Sequence, residues 1–399
     1  MKSNYKQLGQ FIRQVDVRNA AGKEENLLGV SVQKTFIPSI ANTVGTDFTK
    51  YKVVRRGQFT YIPDTSRRGD KIGIALLSDY DEGLVSNVYT TFEVIDKNEL
   101  LPEYLMLWFS RPEFDRYARF KSHGSVREVM DWDEMCKVQL PVPPISVQRG
   151  IVKAYQTITN RIALKRQVND NLAKTIKAVF KSWFLDFDAF DGVELVQSQY
   201  GLIPNGWHYE LLGNLCDCVT KGTTPTTLGK DFTDTGINFI KGESINDDHS
   251  FNKALFAHID DKTDELLKRS RIYVNDIVFT IAGTLGKFAL VDSSVVPANT
   301  NQAVAIIRTS KITPTMLYSY FIGEWQVEFY KRNTQQAVQA NLSLGTIKDL
   351  PILLPDSKGQ DHYMQLVTPL IVGMQNNFSE IERLYGLQNQ LLARLSSSR

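Results

Sequence analysis

The stretch IYVNDIVFTIAG, Ile272–Gly283, has a counterpart in VVRRGQFTYI, Val53–Ile62, and both lead into the same succession of features. A glycine and a second apolar run come next, IGIALL from Ile72 and GKFALV from Gly286. Then come LVSNVYTTFEVI from Leu84 and VPANTNQAVAII from Val296. Upstream, each half opens on a tyrosine and a Leu-Gly pair, Tyr5 with Leu8-Gly9 and Tyr209 with Leu212-Gly213. Downstream, each runs into a proline-started aromatic helix, Pro102 to Tyr117 and Pro314 to Tyr330. Polar loops come after it, HGSVREVMDWDEM and QQAVQANLSLGTI, and then QLPVPPISVQ and PILLPDSKGQ, each ending at a glutamine that opens a long helix. The offset grows from 204 residues (Leu8 to Leu212) to 214 (Leu140 to Leu354), a drift that loop insertions produce. An ordered match of this extent reads as an internal duplication.

The strand-like runs carry Val, Ile, Phe, Tyr and Thr with turn residues between them, so each half predicts a twisted, mainly antiparallel sheet with helices beside it. The segments after Gln148 and Gln360 differ. Ile151, Tyr155, Ile158, Ile162, Val168, Leu172, Ile176, Val179 and Trp183 recur at helical spacing, and so do Leu366, Leu370, Met374, Phe378, Ile381, Leu384, Leu391 and Leu395. These predict amphipathic helices of roughly 40 and 35 residues, or about 50–60 Å. Each could pack on its own half, but the length exceeds what a domain of this size covers. Two such helices in corresponding places pair more naturally with each other, antiparallel, as a spacer. The expected fold class is therefore α+β, with two duplicated domains separated by two long antiparallel helices. The expected boundaries are 1–145 for the first domain, 146–190 for the first helix, 191–356 for the second domain and 357–399 for the second helix.

Composition narrows the function. Across 399 residues, 46 Lys and Arg stand against 44 Asp and Glu, a formal charge of +2. That balance argues against a protein that coats DNA, and leaves room for local basic surfaces. Cys136, Cys216 and Cys218 are too few for a disulfide framework and wrongly spaced for a Cys-x-x-Cys zinc clip. The N-terminus lacks the apolar core of a signal peptide and no window approaches a membrane span, so the expected location is cytoplasmic.

Motif-bearing chemistry is missing. No Asn/Asp-Pro-Pro-aromatic motif and no cofactor-binding Gly-rich loop of an adenine methyltransferase occurs; Pro143-Pro144 comes after Val142 and precedes a helix. The turn Ala282–Gly286 has two glycines but no P-loop Lys-Ser/Thr. No catalytic or metal-ligating set is expected in this chain.

Several segments together carry a family resemblance: KSWFLDFDAF (Lys181 to Phe190), GLIPNGWHYELLGNLCD (from Gly201), GINFIKGESI (from Gly236), NDIVFTIAGTLGKFALV (from Asn275) and ANTNQAVAII (from Ala298). In this order they resemble the specificity subunits of type I restriction–modification enzymes, most strongly from Phe180 to Leu350. The resemblance implies two target-recognition domains, each reading one half of a split site in double-stranded DNA. It implies long helices that bind two methyltransferase subunits, with two restriction subunits in the full complex. S-adenosylmethionine, ATP and magnesium are implied for those partners, and no cofactor for this chain. A lone DNA-binding regulator fits less well because helix-turn-helix motifs are missing, and a coiled-coil scaffold leaves the duplicated domains without a use.

DNA contacts are expected from loops that offer cations and amides, which reach phosphates and base edges. In the first half these are SRRGDK, with Arg67, Arg68 and Lys71, and FKSHGSVRE, with Lys121, Ser122, His123, Ser125 and Arg127. In the second half they are Lys221, Thr223 and Thr224; Lys241 and Glu243; Lys287; and Asn333, Gln335, Gln336 and Gln339. Each also fits a solvated surface. Asn299, Asn301 and Gln302 fit DNA contact and the bracing of a strand equally. Trp183, Phe184 and Phe187 read as a partner-docking surface, and equally as local core where the helix meets the second domain.

Overall fold

The computed structural model describes residues 5–39, 45–65, 71–123, 128–190, 192–328 and 342–396. The chain divides into two compact units, Met1–Ala163 with Glu382–Arg399, and Leu164–Ile381.

In the first unit a four-stranded sheet has the order Ile12–Val15, Thr90–Val94, Gln58–Tyr61, Ile74–Leu76, every neighbour antiparallel. In the second, the order Cys216–Lys221, Val304–Thr309, Ile277–Thr280, Phe288–Leu290 repeats that arrangement strand for strand. The equivalent central strands Gln58–Tyr61 and Ile277–Thr280 come from VVRRGQFTYI and IYVNDIVFTIAG. All their residues are buried, as expected of β-branched and aromatic strands covered on both faces. Among the described strands, Ile237–Ile240 runs parallel beside Ala298–Thr300, and Leu27 makes a single parallel bridge to Leu84. The architecture is α+β with mainly antiparallel sheets.

The duplication extends to the chain ends of each unit. Tyr5–Gln7 pairs with Gln139–Pro141, and His208–Leu211 with Pro351–Leu354. Leu8 N–H donates to the Val138 carbonyl (2.8 Å) and Leu212 N–H to that of Leu350 (2.9 Å). The glycine after each leucine is held close to the short helix that precedes the pairing strand: a Cβ would fall 2.8 Å from Cys136 Cβ at Gly9 and 3.0 Å from Lys348 Cβ at Gly213. Register corrects one detail of the alignment. Lys6 faces Leu140 and Glu210 faces Ile352, so Leu140 corresponds to Ile352, and the offset there is 212 rather than 214.

The aromatic helix of the first half is two helices, Pro102–Phe109 and Pro112–Lys121. Pro112 is the reason. The residue before proline is driven out of the α region, and Arg111 is extended at φ −76°, ψ 140°. In the second half the corresponding helix, Pro314–Ile322, ends at Gly323, and Tyr330 lies outside the described residues.

The two long helices run over Ile145–Phe184 and Ser357–Arg394, 40 and 38 residues. The glutamine near each start ties the helix to the preceding turn: Gln148 Nε2 donates to the Pro143 carbonyl (2.8 Å) and Gln360 Nε2 to that of Pro355 (2.9 Å). Within the second unit the helices pair antiparallel through a buried polar layer. Asn377 Nδ2 donates to Asn169 Oδ1 (2.7 Å), and Lys165 Nζ reaches Asn377 Oδ1 (2.9 Å) and Glu380 (2.8 Å). Within the first unit the same antiparallel pairing brings Gln388 Nε2 to Thr159 Oγ1 (2.7 Å).

Each unit has its own aromatic core. In the first, Phe59 stacks on Phe92 at 4.8 Å and meets Phe109 edge-on at 5.8 Å; Leu392 and Leu395 close that core. In the second, Phe180, Trp183 and Phe184 belong to a cluster with Trp207, Tyr320, Trp325 and Tyr363.

Candidate nucleic-acid interface

The described flanks of the two candidate first-half loops share one base. Thr65 Oγ1 donates to Ser122 Oγ (2.9 Å), and Thr65 N–H donates to the Glu128 carbonyl (3.0 Å). His123 and Val129 exchange backbone hydrogen bonds, and Met130 N–H donates to the Pro63 carbonyl (3.0 Å). The flanks of 66–70 and of 124–127 are thus stitched together. Arg67, Arg68, Ser125 and Arg127 themselves lie outside the described residues. At the far flank of 66–70, Asp115 Oδ1 accepts from Ile72 N–H (3.1 Å) and from the Lys34 ammonium, which also donates to the Ile72 carbonyl (2.9 Å). Burial pulls the Lys34 ammonium below the ordinary lysine value, against the opposing pull of Asp115. Nothing in the periodicity of the sequence marks Lys34, because its partner lies in a helix far along the chain.

The remaining first-half candidates separate by exposure. Lys71 and His123 are exposed, and Lys121 is half-buried with its Nζ 5.8 Å from the exposed Phe120 ring. Ser122 is buried, and its hydroxyl donates to the Ala118 carbonyl (2.7 Å) while accepting from Thr65. In this arrangement Ser122 braces the loop base.

The second unit repeats the base. Leu342 N–H donates to the Ile281 carbonyl (3.2 Å), and the sheet register makes this the counterpart of Met130 and Pro63. Ile281 leads into the turn that carries Lys287, and Leu342 comes directly after residues 329–341. Asn333, Gln335, Gln336 and Gln339 lie outside the described residues. Thr280 Oγ1 holds the turn by accepting from Lys287 N–H (2.8 Å), and Lys287 Nζ pairs with Asp247 (2.9 Å).

Further segments gather at the same end of this sheet. Lys221 closes its strand opposite Ala305, next to the Thr280–Val304 pair. Gly222 N–H donates to the Asn301 carbonyl (3.1 Å). A Cβ on Gly222 would fall 1.7 Å from the Thr300 carbonyl oxygen, so only glycine lets the KGTT segment lie there. Thr224 Oγ1 donates to Gln302 Oε1 (2.6 Å), while Thr223 is half-buried. Thr300 Oγ1 donates to the Ile240 carbonyl (2.7 Å), which brings Lys241 to this end; its Nζ lies 4.8 Å from the Phe232 ring and 4.0 Å from Glu243. Lys221, Lys241 and Lys287 therefore share one end with hydroxyl and amide groups, a set that suits phosphate and base-edge contact. Asn299 is different. It is buried, accepts from Ser270 Oγ (2.7 Å), and donates to Asp264 and the Leu267 carbonyl (both 3.1 Å), so it braces the strand.

Trp183 and Phe184 are not a docking surface. They are 4% and 2% exposed, and Phe184 packs against Phe180 (4.9 Å), Tyr320 (4.7 Å) and Tyr363 (4.9 Å). The helix ends inside the second core, and burying these large rings outweighs leaving them for a partner. Phe187 is half-buried against the same cluster, edge-on to Trp207 at 6.0 Å. Among the described residues no group of three or more His, Cys, Asp or Glu could hold a metal ion, and no helix is long and apolar enough to cross a membrane.

The family model described as the type I restriction modification DNA specificity domain matches twice, over residues 19–174 and 204–378. The MjaIX specificity subunit of Methanocaldococcus jannaschii is 23% identical over 308 residues, covering 76% of this chain and 70% of that one. The HindI specificity subunit of Haemophilus influenzae is 22% identical over 411 residues, covering 86% of each. The crystal structure of the type I restriction–modification S subunit from M. genitalium superposes over 98% of this chain and 95% of that one, with 13% identity and a TM-score of 0.52, which supports the fold. With both halves matched, the chain belongs to the type I restriction–modification specificity family, whose members recognise DNA sequence and do not themselves catalyse.

Proposed function

We propose that each unit reads one half of a split site in double-stranded DNA, through the loops that rise from its Met130–Pro63 or Leu342–Ile281 base. The observation that carries this reading is the recurrence of one sheet order and one loop-base hydrogen bond in both units, on loops of different sequence. Two copies of one scaffold with unlike loops suit two unlike half-sites. The long helices then act as spacer and as the seat of two methyltransferase subunits, which position the adenine-modifying centres; two restriction subunits complete the restricting complex. S-adenosylmethionine, ATP and magnesium belong to those partners, and this chain binds no cofactor.

The spacer can be lengthened without disturbing either polar layer. Four residues inserted after Ile162, matched by four after Leu384, fall between the Thr159–Gln388 and Lys165–Glu380 contacts. They add about 6 Å of helix, or one to two base pairs at ~3.4 Å each. Methylome sequencing of an active variant should show both half-sites unchanged and the gap wider by that amount. An unchanged gap would exclude the helices as the ruler, and changed half-sites would place them in the reading surface.

A further inference from the structure

A cavity of about 400 Å³ lies in the second unit, walled by Phe279, Phe288, Phe321 and Ile347. That volume is within the ~300–1,000 Å³ range of small-molecule sites. Phe288 and Phe321 stand with ring centroids 5.5 Å apart, and the His249 imidazole stacks on Phe288 at 4.0 Å, so the walls are flat aromatic surfaces. Two polar atoms on this lining, His249 Nδ1 and Gln326 Oε1, are buried with no hydrogen-bond partner among the described residues. Buried polar groups are normally paired, and an orphaned one carries its full desolvation cost until something bonds to it.

Gln326 Oε1 can only accept, and His249 Nδ1 accepts in the tautomer protonated at Nε2. Burial holds the His249 pKa below the usual histidine value, which keeps the ring neutral. Two acceptors beside aromatic rings suit a flat ring that carries N–H donors, and an exocyclic amine offers two. The position of the cavity identifies the source of such a ring. Its lining includes Leu285 and Gly286, which immediately precede Lys287 in the turn assigned to DNA contact, and Leu342 of the loop base.

We propose that this cavity receives an adenine or cytosine unstacked from the duplex, its exocyclic amine donating to His249 Nδ1 and Gln326 Oε1; the proposal rests on the DNA-recognition reading above. Extruding a base costs pairing and stacking, and the cost is least where the base is already mispaired.

The test uses the full chain without other subunits and duplexes carrying the sequence it selects from a random pool. Each adenine or cytosine of the half-sites is kept in turn while its partner is changed to a mismatch. At one position affinity should rise by about tenfold, reflecting the saved unpairing cost. The gain should vanish in Gln326→Leu, which loses an acceptor, and in Ile347→Trp, which fills the cavity. If matched duplex binds but no mismatch tightens binding, or if both variants keep the gain, the cavity takes no base and the recognition reading stands. If no duplex is bound at all, both fall. Free adenine that shifts the His249 imidazole resonances with no mismatch effect would make the ligand a soluble base and overturn the DNA source.

Discussion

Replacing Phe184 by alanine should lower the stability of the second unit by about 3–5 kcal/mol, the cost of a large aromatic deleted from a packed core. The side chain is 2% exposed and touches Phe180, Trp207, Tyr320 and Tyr363, rings drawn from four separate segments. Its loss leaves a hole that these rings cannot close without leaving their own positions. Trp183, Trp207 and Trp325 all lie in this unit, so tryptophan fluorescence during denaturant unfolding is weighted towards it. Phe184→Leu, which keeps much of the volume, should lose markedly less. A Phe184→Ala variant of unaltered stability would show that the ring is spare surface, and would restore the docking reading.

A second large loss is expected from Arg308→Ala. The guanidinium grips Asp276 in a fork, Nε to Oδ1 at 2.8 Å and Nη2 to Oδ2 at 2.7 Å, and the Asp276 side chain is only 1% exposed. Asp276 Oδ2 also accepts from Tyr273 N–H (2.8 Å), and Arg308 lies over the Tyr273 ring at 4.3 Å. Removing the arginine strands a buried carboxylate, which costs about 3–5 kcal/mol. Arg308→Lys should recover only part of this because an ammonium cannot make the fork. The double variant Asp276→Asn, Arg308→Met should be closer to the parent than Arg308→Ala, since no unpaired charge remains. Equal losses in the single and double variants would show that the charge pair is not the cause.

These two sites mark where sequence is informative and where it stops. The duplicated, mainly antiparallel sheets were open to reading because β-branched runs and their separating turns survive in the same succession in both halves. The long helices were open to reading because apolar residues recur over ten turns. The break before Pro112 obeys a local steric rule, yet the surrounding aromatic residues mask it by sustaining a helical pattern. Phe and Trp alternating with Asp186 and Asp188 suit a surface and a core alike, and only the rings that arrive from Trp207, Tyr320 and Tyr363 decide between them. The Arg308–Asp276 fork joins neighbouring segments of one sheet, and no spacing rule announces it. Composition offered the candidate loops, while the base shared by their flanks rests on backbone hydrogen bonds that carry no residue signature. Ser122 and Asn299 show the limit most plainly, since a serine or asparagine that braces a loop reads in sequence like one that meets DNA.

The central claim is that this chain alone reads two separated blocks of DNA sequence. Selection of bound duplexes from a random pool by the purified chain, with sequencing of those recovered, tests it directly. The expected result is two short enriched blocks, unlike in sequence and separated by a fixed unselected gap, recovered without S-adenosylmethionine, ATP or any other subunit. Recovery of no enriched sequence, or of one continuous block, would contradict the account.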